Sequence, residues 1–249
     1  MPKQKTVLIT RPMADAEPVA GKLAFRGFHV IAAPMMTIRF RENAQAKVQA
    51  LLERKPQAIL LTSANGARAL ARVTAERNIA VVAIGEASAG EARKHGFWQV
   101  DMAPAKLGGD ANGLAAYLAK EYNPHRGDLI HICGAQVAGD LAALLAEKGF
   151  SVISAELYEA RAVDTLPEEA VSCIRAGELD MALFYSPRTA RIFLQLAAQA
   201  GLAGKFARTQ AFALSRNVAA ALSGTAWAGI YTAAAPTQEA MLALIEEEA

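Results

Sequence analysis

Polar side chains suited to binding an anionic ligand follow directly after six short apolar runs of the sequence. They occur as Thr10-Arg11-Pro12, Thr62-Ser63-Ala64-Asn65-Gly66, Gly85-Glu86-Ala87-Ser88, Cys133-Gly134-Ala135-Gln136, Tyr185-Ser186-Pro187-Arg188 and Ser215-Arg216-Asn217. Where such residues open a helix, unpaired backbone N–H groups stand at the positive end of the helix dipole, which favours carboxylates or phosphates. We therefore predict a site for an anionic ligand in these loops.

The ordinary alternative for each loop is helix capping, since Ser, Thr, Asn and Asp before a helix are usually N-caps. Capping is the favoured interpretation of any one loop taken alone, but six loops together weigh more. Tyr158 is a further candidate, because it follows the apolar run 152–157 at a possible domain junction. A phenol there can face a cleft while its ring stays packed, although simple packing is the commoner role of a buried tyrosine.

The histidines and cysteines offer weaker candidates. His131 lies inside a predicted strand, where a packed neutral imidazole is the favoured interpretation, and His29, His95 and His125 are predicted in exposed turns without a carboxylate or Cys partner at useful spacing. The two cysteines of the chain form no C-x-x-C pair and lie near no His at ligand spacing, so neither a disulfide nor a zinc site is predicted. The sequence also has no Walker-type loop, no G-x-G-x-x-G after a strand, no G-x-S-x-G and no H-E-x-x-H. No cofactor, metal or covalent nucleophile is therefore expected.

Composition excludes several classes of protein. The chain has 249 residues and is 53% hydrophobic, enough for one large core or two smaller ones. Its 26 Lys and Arg nearly balance 24 Asp and Glu, and they are scattered, which argues against a nucleic-acid partner. No run approaches the roughly 20 apolar residues of a spanning helix, and no signal-peptide pattern opens the chain, so we expect a cytoplasmic protein with no membrane partner.

The elements that must position these residues occur twice along the chain. A strand, helix and second strand are predicted over Val7-Leu8-Ile9, Val19 with Leu23, and Gly27 to Ala33; they recur over Leu129-Ile130-His131-Ile132, Leu141 with Leu145, and Gly149 to Ala155. Gly149 minus Gly27 gives an offset of 122. Alternating short apolar strands and helices predict an α/β protein with parallel sheets covered by helices on both faces.

The repeat continues at nearby offsets. The run 58–63 matches 181–186, the run 81–85 matches 211–215, and Asp110 and Thr237 are each predicted to cap a closing amphipathic helix. Ser63 and Ser186 are equivalent positions, which favours a structural role for both. Residues unlike their partners are better ligand candidates, because one asymmetric ligand breaks the equivalence: Arg11 opposes Cys133, Ser88 opposes Val218 and Thr62 opposes Tyr185.

The periodicity of the sequence is compatible with two ways of dividing the chain into domains. One is a tandem cut near Tyr122-Asn123-Pro124; the other has the chain cross twice between domains, at Pro34-Met35-Met36-Thr37 and at 157–161. In the second case one domain is discontinuous in sequence.

Four motifs resemble those of the uroporphyrinogen-III synthase family. They are Val7-Leu8-Ile9-Thr10-Arg11-Pro12, Leu61-Thr62-Ser63-Ala64-Asn65-Gly66, Ile84-Gly85-Glu86-Ala87-Ser88-Ala89 and Leu157-Tyr158-Glu159, followed near the end by Ala235-Pro236-Thr237. The resemblance implies two flavodoxin-like α/β domains joined by a two-stranded linker, with the active cleft between them. It favours the double crossing: domain 1 from 1–35 and 162–249, domain 2 from 36–161, and linkers near 34–38 and 157–162.

The resemblance also implies an activity, that of a cyclising hydro-lyase of heme, siroheme or cobalamin biosynthesis without cofactor or metal. Hydroxymethylbilane loses its terminal hydroxyl, the resulting azafulvene attacks the substituted carbon of ring D, and a spiro intermediate rearranges to uroporphyrinogen III with loss of water. Unassisted closure gives the type I isomer, so the enzyme acts chiefly by proximity and orientation. A transient association with the preceding enzyme of the pathway is a further expectation.

Site residues carry over by position. Tyr158 matches the family's tyrosine, which assists departure of the hydroxyl, and Ser88 stands where relatives often have Thr. Val218 and Gly139 depart from the family pattern, since some relatives have a hydroxyl and many an arginine at these places. The substrate-binding prediction is Arg11, Thr62, Ser63, Asn65, Ser88, Gly134, Ser186, Ser215 and Asn217. The rival hypothesis is a two-lobed α/β small-molecule binding protein without catalysis.

Overall fold

The computed structural model describes residues 4–136 and 139–248. Its strands are β1 (Thr6–Ile9), β2 (His29–Ala32), β3 (Met36–Phe40), β4 (Ala58–Leu61), β5 (Val81–Ala83), β6 (Val100–Met102), β7 (Leu129–Gly134), β8 (Val152–Ala162), β9 (Met181–Phe184), β10 (Gln210–Ala213) and β11 (Gly229–Thr232). Its helices are α1 (Met13–Phe25), α2 (Ala44–Glu53), α3 (Ala64–Val73), α4 (Glu86–Lys94), α5 (Ala111–Glu121), α6 (Leu141–Ala146), α7 (Glu168–Ala176), α8 (Pro187–Gln199), α9 (Arg216–Leu222) and α10 (Gln238–Glu248). The predicted α/β class is confirmed.

The chain divides into two compact units. Unit 1 is Met1–Thr37 with Arg161–Ala249, and unit 2 is Ile38–Ala160. Strands β3 and β8 carry the chain from one unit to the other and are neighbours in one sheet. Arg41 N–H donates to the Leu157 carbonyl at 2.9 Å and Val163 N–H donates to that of Met35 at 3.2 Å. From the first pair to the second, the residue number falls from 41 to 35 on the β3 side and rises from 157 to 163 on the β8 side. These two segments therefore run antiparallel.

Each unit contains a parallel sheet with the same strand order. In unit 1 the order is β11-β10-β9-β1-β2, and in unit 2 it is β6-β5-β4-β7-β8 with β3 added at the β8 edge. Counting strands along each βαβ repeat, both follow the flavodoxin-like order 2-1-3-4-5. Unit 1 takes β1 and β2 from the first copy of the repeat and β9 to β11 from the second. Unit 2 takes β4 to β6 from the first copy and β7 and β8 from the second.

The sheets are buried on both faces, as parallel sheets require. In unit 1, Leu8 packs with α7, α8 and α9 on one face, while Val7 and Ile9 pack against α1 and α10 on the other. In unit 2, Ile59 and Leu61 pack with α2, α3 and α4, whereas Ala58 and Leu60 face α5 and α6. Strands β1, β4 and β9 are buried at every residue, which explains their continuous apolar sequences.

Several local expectations are confirmed and others are wrong. Asp110 caps α5 by accepting from Gly113 N–H at 2.9 Å, and Thr237 accepts from Ala240 N–H at 3.2 Å, as predicted. Tyr158 was expected to follow its strand, but it lies inside β8 because the strand continues to Ala162. His29 was expected in a turn and instead opens β2.

Candidate active site

A pocket of about 360 Å³ lies in unit 2 at the carboxyl ends of β4 and β7. These strands flank the position where the strand order reverses, which is where open α/β sheets bind ligands. The described residues that line it are Thr62, Ser63, Ile84, Gly109, Asp110, Ala111, His131, Gly134, Gln136, Gly139, Leu141 and Tyr158. Of the residues predicted to form the site, the pocket brings together Thr62, Ser63, Gly134 and Tyr158.

Tyr158 contributes a buried phenol to this pocket. The residue is 9% exposed, and its hydroxyl lies 2.7 Å from Ser63 Oγ. Ser63 is fixed in turn because its Oγ accepts from Gly66 N–H at 3.1 Å as the N-cap of α3. Burial raises the pKa of Tyr158 above its ordinary value of 10, although the hydrogen bond with Ser63 opposes the shift. The phenol is therefore neutral at physiological pH and can donate a hydrogen bond.

A β-bulge turns Tyr158 towards one face of the sheet. Cys133 pairs with Glu156 and Gly134 pairs with Tyr158, so Leu157 is an extra residue on β8. Adjacent side chains of a regular strand point to opposite faces, but Leu157 and Tyr158 both belong to the hydrophobic cluster on the α3 face. The bulge therefore re-aims the tyrosine, a role that bulges often have beside functional sites.

Gly134 leaves the space that the Tyr158 ring occupies. A Cβ at Gly134 would lie 2.8 Å from Cε2 and 3.0 Å from Cζ of Tyr158, closer than real Cβ contacts. The Ala135 N–H also donates to the Tyr158 carbonyl at 2.9 Å, which joins the loop after β7 to the strand that bears the phenol. Gly134 thus belongs to the site through this close approach.

Thr62 and His131 form a second polar pair in the pocket. His131 Nε2 lies 3.0 Å from Thr62 Oγ1, and the histidine is 3% exposed. Burial lowers the pKa of His131 below its ordinary value of 6.5, so the imidazole is neutral at pH 7. The sequence interpretation of a buried neutral histidine is confirmed, but it missed that the ring is bonded to a pocket hydroxyl.

The N-terminal half of α3 is held by a polar cluster beside the pocket residues. Arg68 donates to Asn65 Oδ1 at 2.9 Å and to Glu91 Oε1 at 2.8 Å, and His95 Nε2 lies 3.2 Å from the same carboxylate oxygen. Burial raises the pKa of Glu91, but the hydrogen bond and charge of Arg68 outweigh it, and the net pKa lies below the usual range. Asn65 is therefore engaged within the protein, and the expectation that His95 has no carboxylate partner is wrong.

The rest of the pocket lining is neutral apart from one carboxylate. No Lys or Arg occurs among the lining residues in the described part of the chain. Asp110 already accepts a hydrogen bond at the N-terminus of α5, where the helix dipole favours its charge. Gly139 precedes α6 instead of lying in the helix, and its φ of +81° is one that an arginine rarely adopts. Uncharged groups therefore supply the donors of this pocket, namely hydroxyls, backbone N–H groups and the Gln136 amide.

Arg11 lies in unit 1 at the equivalent point of the other sheet. Its guanidinium lies 4.5 Å from the centroid of the Tyr185 ring, 3.7 Å from Asp15 Oδ2 and 3.4 Å from Gln238 Oε1, to which it donates. Burial raises the pKa of Tyr185 to about 12, and Arg11 opposes that shift. Arg11 therefore has three partners inside its own unit.

The remaining candidates lie apart from the pocket lining. Ser88 is 2% exposed within α4. Ser186 caps α8 by accepting from Thr189 N–H at 3.1 Å. Ser215 is the N-cap of α9 without a side-chain capping bond, and Asn217 is exposed in the first turn. Val218 is 1% exposed and packs in the hydrophobic core of unit 1.

Sequence reasoning missed His131 and Asp110 as pocket residues, whereas Gln136 lies in the predicted loop 133–136. The asymmetry of the repeat carried a signal for the first of these. At the offset of 122, the partner of His131 is the fully buried Ile9, so a polar residue replaces an apolar one at the same strand position. For Asp110 the sequence shows no comparable signal, since it predicted only a helix cap.

Two parallel sheets of one strand order, with a polar pocket at the reversal point of one of them, define a flavodoxin-like α/β protein with a small-molecule site. A model of the family described as uroporphyrinogen-III synthase HemD matches residues 17–243. The chain belongs to the uroporphyrinogen-III synthase family, whose enzymes act in tetrapyrrole biosynthesis, and this prediction is confirmed.

Solved structures support the same fold. The chain is similar to the uroporphyrinogen-III synthetase of Helicobacter pylori at 16% identity and a TM-score of 0.61, over 99% of this chain and 100% of that one. It is also similar to a mutant uroporphyrinogen III synthase of the extremely thermophilic bacterium Thermus thermophilus at 16% identity and a TM-score of 0.58, over 98% and 97% of the two chains. A comparison with curated protein sequences found no match.

Residues 4–136 and 139–248 contain no group of three or more His, Cys, Asp or Glu side chains that could hold a metal ion. Over the same residues, no helix has the length and apolar character needed to cross a membrane.

Proposed function

We propose that this chain closes linear hydroxymethylbilane to uroporphyrinogen III with inversion of ring D, and that the unit 2 pocket holds the end of the substrate that loses its hydroxyl. The observation that carries the proposal is the Tyr158 phenol, which is buried, neutral and held 2.7 Å from Ser63 at the reversal point of the sheet. Family membership supplies the substrate class.

The proposed role of Tyr158 is to donate a hydrogen bond to the departing oxygen. The C–O bond of the terminal hydroxymethyl group breaks, and the electron pair of the pyrrole nitrogen forms the azafulvene. The pyrrole N–H proton is lost in the same step, so that hydroxyl and proton together leave as one water. A phenol with a raised pKa is a poor full proton donor, so hydrogen bonding is the better description of its part. The azafulvene then attacks ring D, and the spiro intermediate opens and recloses to the type III ring.

Selection between isomers is a matter of positioning. The spontaneous route joins the chain ends to give type I, whereas the enzyme must bring the substituted carbon of ring D within bonding distance. We propose that backbone N–H groups at the N-terminus of α3 and the hydroxyls of Thr62 and Ser63 fix the first ring through its polar groups. Substrate contacts from Asn65 and Ser88 in unit 2, and from Arg11, Ser186, Ser215 and Asn217 in unit 1, stay predictions.

We further propose that the two compact units are the two domains that the resemblance implies, with β3 and β8 as the two-stranded linker. Location in the cytoplasm and a transient association with the preceding enzyme also stay predictions.

The decisive experiment measures the isomer ratio of the product. Freshly generated hydroxymethylbilane is incubated with and without the protein, and the uroporphyrins are separated after oxidation. We expect type III with the protein and type I without it. Type I alone from folded protein would refute the proposal and favour a binding protein of the same fold.

A matched variant ties the activity to the pocket. Tyr158→Phe keeps the packed ring and removes only the hydroxyl. If the activity is due to this site, the variant should melt near the temperature of the unmodified protein and lose most of its rate. A full rate with Tyr158→Phe would leave the reaction assigned and remove the phenol from it.

A further inference from the structure

His131, the buried partner of the pocket residue Thr62, has no part in the mechanism described so far. His131 comes from the middle of β7, between Leu60 of the neighbouring strand β4 and Ser154 of β8 in the register of the sheet. A ring that is 3% exposed in the interior of a parallel sheet costs desolvation energy unless its nitrogens are bonded. Its Nε2 is bonded to a hydroxyl that lines the pocket, which no packing role requires.

We propose that His131 is a positioning residue that fixes the direction of the Thr62 hydroxyl towards the substrate. This inference rests on the proposed function of the pocket. Within residues 4–136 and 139–248, the imidazole is the hydrogen-bond partner of Thr62 Oγ1. A hydroxyl has one proton and two lone pairs, so one bond to a fixed ring decides which of these face the pocket.

The neighbouring hydroxyl does not need such a device. Ser63 Oγ is held by the Gly66 N–H at 3.1 Å and by the Tyr158 hydroxyl at 2.7 Å, and both of these partners belong to rigid elements. Thr62 follows β4 immediately before this cap, where its backbone ends the strand. His131 thus gives the second pocket hydroxyl the fixed partner that Ser63 obtains from its helix.

The charge state of the imidazole suits this role. Desolvation keeps the ring neutral, so one nitrogen donates and the other accepts. With a proton on Nε2 the ring donates to Thr62 Oγ1 and leaves the hydroxyl proton for the substrate, whereas with the proton on Nδ1 the ring accepts that proton and leaves lone pairs. In either tautomer the bond to Thr62 is retained, and the tautomer decides whether the hydroxyl donates to the substrate or accepts from it. A protonated ring would instead be a donor at both nitrogens and would bring a positive charge to a strand position whose repeat partner, Ile9, is fully buried.

The asymmetry of the repeat points the same way. In unit 1 the partners of His131 and Thr62 are Ile9 and Tyr185, which pack in the hydrophobic cluster of the α1 face. The polar pair therefore occurs only at the reversal point that has the pocket lined by Tyr158, among the described residues. A structural requirement of the fold would be expected in both copies.

The experiment is a double-mutant cycle on the folded full chain. His131→Met removes the ring nitrogens at similar volume, and Thr62→Val removes the hydroxyl while keeping the branched shape. Each single variant should lower kcat/KM about tenfold, as expected for loss of one oriented hydrogen bond to the substrate. The double variant should be no slower than Thr62→Val, because His131 acts through that hydroxyl.

Two conservative variants separate positioning from packing. His131→Gln places an amide near the Nε2 position with both a donor and an acceptor, and should restore kcat/KM to within about threefold of the unmodified protein. Thr62→Ser should do the same. If His131 were purely structural, His131→Met would melt at a lower temperature, and the two conservative variants would not restore kcat/KM in this way. If His131→Met does not fold, the imidazole ¹⁵N shifts of His131 in the unmodified and Thr62→Val proteins test the bond directly, and the signals missing from His131→Gln assign them.

The outcomes distinguish this inference from the proposed function. Multiplicative losses in the double variant, or a full rate with folded His131→Met, would overturn the role of His131 while type III product from unmodified protein still supports the synthase reaction. Unchanged ¹⁵N shifts in Thr62→Val would also overturn it. Type I product from the unmodified protein would overturn the proposed function and this role with it.

Discussion

Gly134→Ala tests the idea that a single missing Cβ sets the position of the reactive phenol. The added atom would lie 2.8 Å from Cε2, 3.0 Å from Cζ and 3.3 Å from Cδ2 of Tyr158. Carbon atoms pack at about 3.5–4.0 Å, so the ring must move by roughly 1 Å. Gly134 is not among the residues with a left-handed backbone, so the ring contact, and not strain in φ, is the expected cost.

The displacement sets the size of both expected effects. Overpacking a closed site costs about 1–3 kcal/mol, which lowers the melting temperature of a chain of this size by roughly 2–12 °C. The hydroxyl now lies 2.7 Å from Ser63 Oγ, and a shift of that size takes it out of hydrogen-bonding range. A misplacement of about 1 Å can lower a rate about 100-fold. We therefore expect kcat/KM for type III formation to fall by that factor, with the type I background unchanged.

Gly90→Ala is the matched control in the same unit. It adds a Cβ in the middle of α4 at 3.5 Å from Glu86 Oε1, an ordinary contact with a flexible side chain. It should melt at the same temperature or slightly higher, by up to about 1 kcal/mol of stability, and keep full activity. The assay is the isomer-resolved rate together with thermal melting. A Gly134→Ala protein that melts and reacts like Gly90→Ala would refute the reasoning, as would an equal stability loss from Gly134→Ala in a Tyr158→Leu background.

Further predictions concern Tyr158, Ser63, Arg11 and His131. Tyr158→Phe should lower kcat about 100-fold or more with little change in melting temperature. In the unmodified protein, the activity that depends on the neutral phenol should persist to pH 10, because burial raises the pKa of Tyr158. A loss of activity centred well below pH 10, and absent from Tyr158→Phe, would contradict this prediction. Ser63→Ala should lower both rate and stability, since it removes a helix cap of about 1 kcal/mol and the partner of the phenol; an unchanged melting temperature would argue against the cap. Arg11→Ala should lower the melting temperature through loss of its contact with Tyr185, worth about 0.5–2 kcal/mol, and only a raised KM beyond this would support a substrate contact. The pKa of His131 in the folded protein lies below 6.5, so at pH values below 6.5 the unfolded chain binds more protons than the folded one. The free energy of unfolding should therefore fall as the pH is lowered through this range. His131→Gln should make the melting temperature less dependent on pH in the same range.

The fold class could be predicted because buried parallel strands need continuous apolar sequences. Runs such as 58–61 and 181–184 leave little alternative, and the glycines at 27 and 149 mark the same turn in both copies. Periodicity could not choose between a tandem and an interleaved arrangement, since both give each strand the same pattern of burial. That choice depends on which strands pair, and the pairing of β1 with β9 and of β7 with β4 joins residues far apart in sequence.

The candidate site was predicted in its loops but not in its detailed geometry. The positions of Thr62 and Ser63 follow from the rule that ligands bind beyond the carboxyl ends of strands. The direction of Tyr158 does not, because it depends on a bulge between Cys133 and Gly134 that leaves no mark in the apolar pattern of β8. His131 was assigned to packing because a single sequence does not distinguish a buried histidine that only packs from one that also makes a hydrogen bond.

The two sheets share one backbone pattern but differ in the side chains at their reversal points. At the reversal point of unit 1, a guanidinium stacks on an aromatic ring, with Arg11 over Tyr185 at 4.5 Å. At the equivalent point of unit 2 the same two positions are Cys133 and Thr62, whose side chains are shorter, and Thr62 lines a cavity of about 360 Å³. The backbone elements are therefore shared, and the two crevices differ in the side chains at these two positions. Replacing Thr62 with Tyr should fill the unit 2 crevice in the same way, abolishing type III formation without unfolding the sheet; a Thr62→Tyr protein that still forms type III would show that the reaction does not need this cavity.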